Sequence, residues 1–142
     1  MKKWLLLTVL ALAARPAAAA CTVSGGGISF GSYDGSAAVG GTGSVSFNCG
    51  LLTSFTIKLG PGSGTIGQRT MTINGGGSAT LNYNLYQDVG HATLWGDGTT
   101  GQTQFVLSIL GGFSLPVFGL IPAGQRVTAG GYGDNVVITI VF

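Results

Sequence analysis

Apolar and polar residues alternate along most of this chain in short runs, the period of a β-strand with one buried face. Ser44-Val45-Ser46-Phe47-Asn48-Cys49 alternates strictly and sets Val45, Phe47 and Cys49 on one side. Phe55, Ile57 and Leu59 repeat the pattern in the next predicted strand, with Thr56 and Lys58 outward. Arg69 to Ile73 predicts another, with Met71 and Ile73 inward, and Leu81, Tyr83 and Leu85 then alternate with Asn82, Asn84 and Tyr86. Ile28 to Phe30, Phe105 to Ile109 and Leu115 to Phe118 read as shorter strands.

Glycine punctuates these runs. Residues 35–43 read as a loop, Gly60-Pro61-Gly62 and Gly75-Gly76-Gly77 as turns, and Gly111-Gly112 as a break between strands. Residues 87–103 form a polar, Gly-rich connection with Trp95 in its middle. The last run, Val136 to Phe142, is β-branched and aromatic, and nothing follows it to act as a neighbour. An apolar strand without a partner is an aggregation hazard in a finished domain, and it fits a domain that receives a strand from another molecule. Short strands at this spacing and no helical periodicity predict an all-β sandwich. A sheet lacking one strand leaves an apolar groove that an extended segment fills by β-augmentation.

The exception to this patterning is the start. Met1-Lys2-Lys3 is a basic n-region, Trp4 to Ala14 an apolar h-region, and Ala18-Ala19-Ala20 a small-residue cleavage site. That order predicts a secretory signal peptide over residues 1–20, cut after Ala20, with one domain at 21–142. The apolar run is too short to span a bilayer, and no later segment is long enough. Removing the signal changes the charge picture. The chain has a formal net charge of +2, but Lys2, Lys3 and Arg15 belong to the signal; Lys58, Arg69 and Arg126 remain against Asp34, Asp88, Asp97 and Asp134. With no basic patch left, nucleic acid is not an expected partner. All 27 glycines lie after the signal, without a Gly-X-Y period, which excludes collagen.

Two cysteines, Cys21 and Cys49, stand in the exported part. A disulfide is the simplest reading in an oxidising compartment, closing a loop worth about 3–4 kcal/mol in the chain-entropy model. The alternative is lipidation of Cys21, since small residues precede it; that leaves Cys49 unpaired. Other chemistry is sparse. His91 is the single histidine and reads as a loop residue three positions from Asp88, without the positioned partner a general base needs. No Gly-x-Ser-x-Gly elbow surrounds any serine, and Ser54 and Ser108 fall in strands. Asp88 and Asp97 offer oxygens, but Asp97 stands in a Gly-Asp-Gly turn and there are too few carboxylates for a hard cation. No catalytic, cofactor or metal residues are therefore assigned. Trp95 reads as a packed anchor, with sugar stacking as the alternative. Tyr132, before the last strand, has the position of a tyrosine corner. Leu110 to Leu120 reads as strand and turn that, if exposed, presents Phe113 and Leu115 to hydrophobic surfaces.

Several stretches together carry a resemblance. Cys21-Thr22-Val23, Phe30-Gly31-Ser32-Tyr33 and Val45-Ser46-Phe47-Asn48-Cys49 come first. Arg69-Thr70-Met71, Leu81-Asn82-Tyr83-Asn84-Leu85-Tyr86-Gln87-Asp88 and Trp95-Gly96-Asp97-Gly98 follow. Val117 to Pro122 and Gly131-Tyr132-Gly133-Asp134 complete the series. The chain thus resembles the spore coat protein U domain, the subunit fold of archaic chaperone–usher pili, across residues 21–142. The resemblance implies an immunoglobulin-like sandwich missing its last strand. It also implies a periplasmic chaperone that lends a strand, and an outer-membrane usher that exchanges it for a segment of another subunit. It implies a secreted pilus or coat subunit at the cell surface, with roles in adhesion and biofilm formation. Subunits of this kind carry a donor segment before the first cysteine. Here the expected mature chain begins at Cys21, which points to a fibre tip. A self-complete secreted adhesin or sugar-binding module is the competing expectation.

Overall fold

A computed structural model describes residues 21–24 and 26–142, apart from the side chains at positions 51, 53, 108 and 109. The predicted signal peptide and its cleavage point after Ala20 lie outside the described residues. Among the described residues the fold has seven strands: β1 (Cys21–Ser24), β2 (Val39–Leu59), β3 (Arg69–Ile73), β4 (Thr80–Tyr86), β5 (Gln104–Ile121), β6 (Tyr132–Gly133) and β7 (Ile138–Val141). Their hydrogen-bonded order is β1-β2-β5-β4-β3-β6, with β7 on β2, and every pair is antiparallel.

The organising elements are β2 and β5, of 21 and 18 residues. The first half of β2 pairs with the second half of β5, from Val39 on Ile121 to Cys49 on Gly111. The register then shifts twice, between Cys49 and Thr53 and between Thr53 and Phe55, before Phe55 meets Val106 and Ile57 meets Gln104. Such irregularities bend a strand and let it pass from one sheet to the other. The ring contacts show the result. Phe47 in one half of β2 lies 5.8 Å from Phe55 in the other, and Phe113 of β5 sits 5.0 Å from Phe47 and 5.9 Å from Phe55. The two halves of one bent ribbon therefore face each other across a shared core, in an immunoglobulin-like sandwich.

Inward positions follow the alternation read from the sequence. Val45, Phe47, Cys49, Phe55, Ile57, Leu59, Met71, Leu81, Tyr83 and Leu85 are all buried. Strand continuity differs from the expectation. The predicted loop over 35–43 is already strand from Val39, the two predicted strands at 44–49 and 55–59 are one, and Gly111-Gly112 does not end a strand. Gly111 instead takes φ +87° at the bend, a conformation open to glycine without cost. Ile28 to Phe30 contributes a single bridge, Ser29 to Thr42, rather than a strand. The terminal run also has a partner: β7 pairs with β2 from Ile138 on Leu59 to Val141 on Thr56. Long-range pairing of this kind leaves no mark in local sequence.

Candidate functional site: a groove along the open side of the sandwich

Along its length β2 hands its outer edge to different neighbours. The first half of that edge carries β1 and the Ser29 bridge; the second half carries β7. Between these two borders the sandwich stays open. A groove of about 1720 Å³ runs there, with residues 26–36 as one wall and residues 124–136 and Ile138 as the other. Its floor is core: Val45, Leu59, Met71, Leu81, Leu85 and Val117. The terminal strand shows the consequence. Val136, Ile138 and Ile140 alternate inward, yet they stay only half-buried, whereas Ile57 on the neighbouring strand is fully buried. Inward apolar side chains that remain wet are a driving force awaiting a partner surface. Among the described residues, β7 is paired along β2 alone.

One end of the groove is tied shut. The Tyr33 hydroxyl donates to the Pro122 carbonyl at 2.6 Å and accepts from the Gln125 backbone N–H at 3.0 Å. Gly124 N–H donates to the Gly35 carbonyl at 2.8 Å. The Gln125 side chain then pairs with β4 as a strand would: its carbonyl accepts from Asn82 N–H at 2.7 Å and its amide donates to the Asn82 carbonyl at 2.9 Å. The second wall is braced further along. The Tyr132 hydroxyl donates to the Thr128 carbonyl at 2.7 Å, the back-bond expected of a tyrosine corner.

A polar pair sits within the apolar lining. The Tyr83 hydroxyl donates to Asp134 at 2.7 Å, and the other Asp134 oxygen accepts from the Ser63 N–H and hydroxyl at 2.9 and 2.8 Å. Burial, with help from the Asp134 carboxylate, pushes the Tyr83 phenol well above its ordinary pKa, so it stays a neutral donor. Behind the floor lies Arg69, fully buried. Its guanidinium donates to the carbonyls of Gly60 (2.9 Å), Leu59 (3.3 Å) and Trp95 (2.9 Å) and to the Asn84 side chain (2.7 Å). Desolvation lowers its pKa, and its partners are all uncharged acceptors.

Sequence reasoning missed this arginine, although a signal was present: Arg69 is in phase with inward Met71. Residues considered for chemistry are placed as follows. Asp88 accepts from the Ala92 and Thr93 N–H groups, and Asp97 from those of Thr99 and Thr100. These bonds hold both carboxylates below the ordinary range and spend them on loop turns. His91, at φ +54°, lies edge-on to Tyr86 at 5.2 Å. Trp95 is completely buried and donates its indole N–H to the Ile57 carbonyl at 3.3 Å, so no ring face is offered to a sugar. Ser54 lies in β2, and the Ser108 side chain is outside the described residues. Phe113 and Leu115 turn toward the core rather than to solvent; the exposed apolar side chains nearby are Leu107 and Leu110. Cys21 and Cys49 are register partners and joined by a disulfide. Among the described residues no helix is long and apolar enough to cross a membrane.

Comparison with known proteins adds three findings. The Spore Coat Protein U domain model matches residues 7–139. Protein U of Myxococcus xanthus is 37% identical over 144 residues, covering 87% of this chain and 78% of that protein. Among solved structures, the chaperone–tip adhesion subunit pre-assembly complex from archaic chaperone–usher Csu pili of Acinetobacter baumannii contains a similar chain. It aligns with a TM-score of 0.64 at 19% identity, over 87% of this chain. The alignment spans only 40% of that longer chain. The likeness is one of fold.

Proposed function

The chain belongs to the Spore Coat Protein U domain family, and from that premise we propose that it is a structural subunit of a chaperone–usher pilus or surface coat, completed by a strand from another molecule. The observation that carries the reading is the groove. Its floor is apolar core, its walls are residues 26–36 and 124–138, and its inward residues are half-covered. An extended segment with alternating apolar side chains supplies what such a groove lacks: side chains to cover the floor, and backbone N–H and C=O groups for its borders. In this reading residues 1–20 direct export and residues 21–142 form the domain. A periplasmic chaperone fills the groove first, an outer-membrane usher exchanges the filler for a strand of another subunit, and the product stands on the cell surface in adhesion and biofilm formation. A tip position is the finer part of the proposal. It draws support from the solved neighbour, whose complex is described as containing a tip adhesion subunit. The role is structural rather than catalytic: the polar groups described above are spent on turns and on holding the groove.

The test is a thermal shift with the purified domain and lysine-capped peptides that alternate Val, Ile or Phe with Thr over roughly ten residues. A ligand that binds only the folded state raises the melting temperature in proportion to the logarithm of its concentration. A rise that grows with peptide concentration is expected, and a scrambled peptide leaves it flat. No shift with any register of peptide, or with chaperone, means the domain is self-complete.

A further inference from the structure

The first wall of the groove is held unlike the other strands. β1 makes four consecutive register pairs with β2, but residues 26–31 make one bridge, Ser29 to Thr42. Their side chains do the holding. Ile28 and Phe30 are half-buried and packed against the core, while Ser29 between them is exposed. Phe30 also lies edge-on to Tyr83 at 5.8 Å.

The surface beneath them is bare backbone. Gly41 and Gly43 of β2 have the inward parity of Val45 and Phe47, and Gly41 is paired with Gly119 of β5. A Cβ at Gly43 would run into the Gly27 carbonyl oxygen and stand 2.7 Å from the Ile28 side chain. At Gly41 it would stand 2.8 Å from the Phe30 ring and 2.9 Å from the Ser29 carbonyl oxygen, and at Gly119 2.5 Å from the same ring. Ordinary side chains at these three positions would exclude residues 27–30, so the seating of that segment depends on their absence. Its two inward side chains have the two-residue spacing of a β-strand, the spacing any incoming strand must also use.

The geometry points to a latch. Residues 26–31 fill the glycine-floored end of the groove with Ile28 and Phe30 in the lone subunit, and they yield that floor to an entering strand. This inference rests on the acceptor reading above. One backbone bridge and two half-buried side chains make the segment a lightly held part of the groove wall, and its release costs an entering strand part of its rate.

Binding of the same alternating peptides, fluorescein-labelled, is followed by stopped flow in the wild-type domain, in Gly43→Ala, and in the double variant Ile28→Ser with Phe30→Ser. Both variants favour the open latch, and the association rate is expected to rise roughly tenfold if the open form is a minor population in the wild type. Should Gly43→Ala fail to fold, the double variant decides. Hydrogen exchange gives the second readout: on peptide binding, amides of residues 26–31 lose protection if they are a latch and gain it if they are a fixed wall. Equal or slower association in the variants, or gained protection, overturns the latch and leaves the acceptor groove standing. No binding by any of the three proteins overturns both.

Discussion

At the scale of single residues, Arg69 decides more than any other polar group. It gathers the end of β2, the side chain of Asn84 on β4 and the backbone at Trp95 around one buried guanidinium. Burying an ion is costly, and what offsets the cost here is a set of charge-assisted bonds to three backbone carbonyls and the Asn84 side chain. Replacement by an apolar residue, Arg69→Leu, removes the donors to the Gly60, Leu59 and Trp95 carbonyls and one of the two donors to the Asn84 side chain. A loss of about 3 kcal/mol is expected in urea unfolding; a loss under about 1 kcal/mol would mean that water or rearrangement satisfies the carbonyls. The sequence shows Arg69 in an inward register but gives no reason to bury it, because its four acceptors come from three separate parts of the chain. Trp95 is the converse case: a large aromatic in a polar loop is legible as an anchor before its partner at Ile57 is known.

At the scale of elements, alternation placed Val45, Phe47, Cys49, Phe55, Ile57, Leu59, Met71, Leu81, Tyr83 and Leu85 inward correctly, because a one-sided strand writes its burial into every second residue. Ile73, expected inward, is only half-buried, and Asn84, expected outward, is buried because it serves Arg69. Alternation did not carry strand continuity. Read in one dimension, glycine looks like punctuation; in the folded ribbon Gly111 sits inside β5, opposite Cys49, at the bend where the sheet folds onto itself. Its φ of +87° is the requirement, since no atom lies within 4 Å of a Cβ built there. Gly111→Ala should therefore cost about 1–2 kcal/mol through backbone strain alone. Gly112→Ala, at a position without positive φ, is the control and should lie within about 0.5 kcal/mol of wild type. Equal effects at the two positions would assign the bend to something other than the conformation of Gly111.

At the scale of the whole molecule, the resemblance to spore coat protein U domains named the kind of fold, while the terminal run, expected to lack a neighbour, pairs with β2. The groove itself was not legible. Its walls lie far apart in sequence and are joined by Tyr33, Pro122, Gly124 and Gln125, contacts that only the folded chain brings together. An apolar floor of this size in a folded domain should bind a hydrophobic dye such as ANS while near-ultraviolet circular dichroism reports fixed packing, unlike a molten globule, which loses that signal. Adding one of the alternating peptides that fill the groove should then quench the dye; undiminished fluorescence would place the dye elsewhere. The disulfide has a consequence of a different kind. Cys21 and Cys49 are 28 positions apart in sequence yet side by side in the sheet. Tension entering at Cys21 therefore passes straight into the middle of β2, and the intervening segment is shielded from being pulled out. Under load the oxidised domain gives up less length than the reduced one by about 90–100 Å, the contour of that segment. In the fibre proposed above, the cross-link would thus act as a strain limiter.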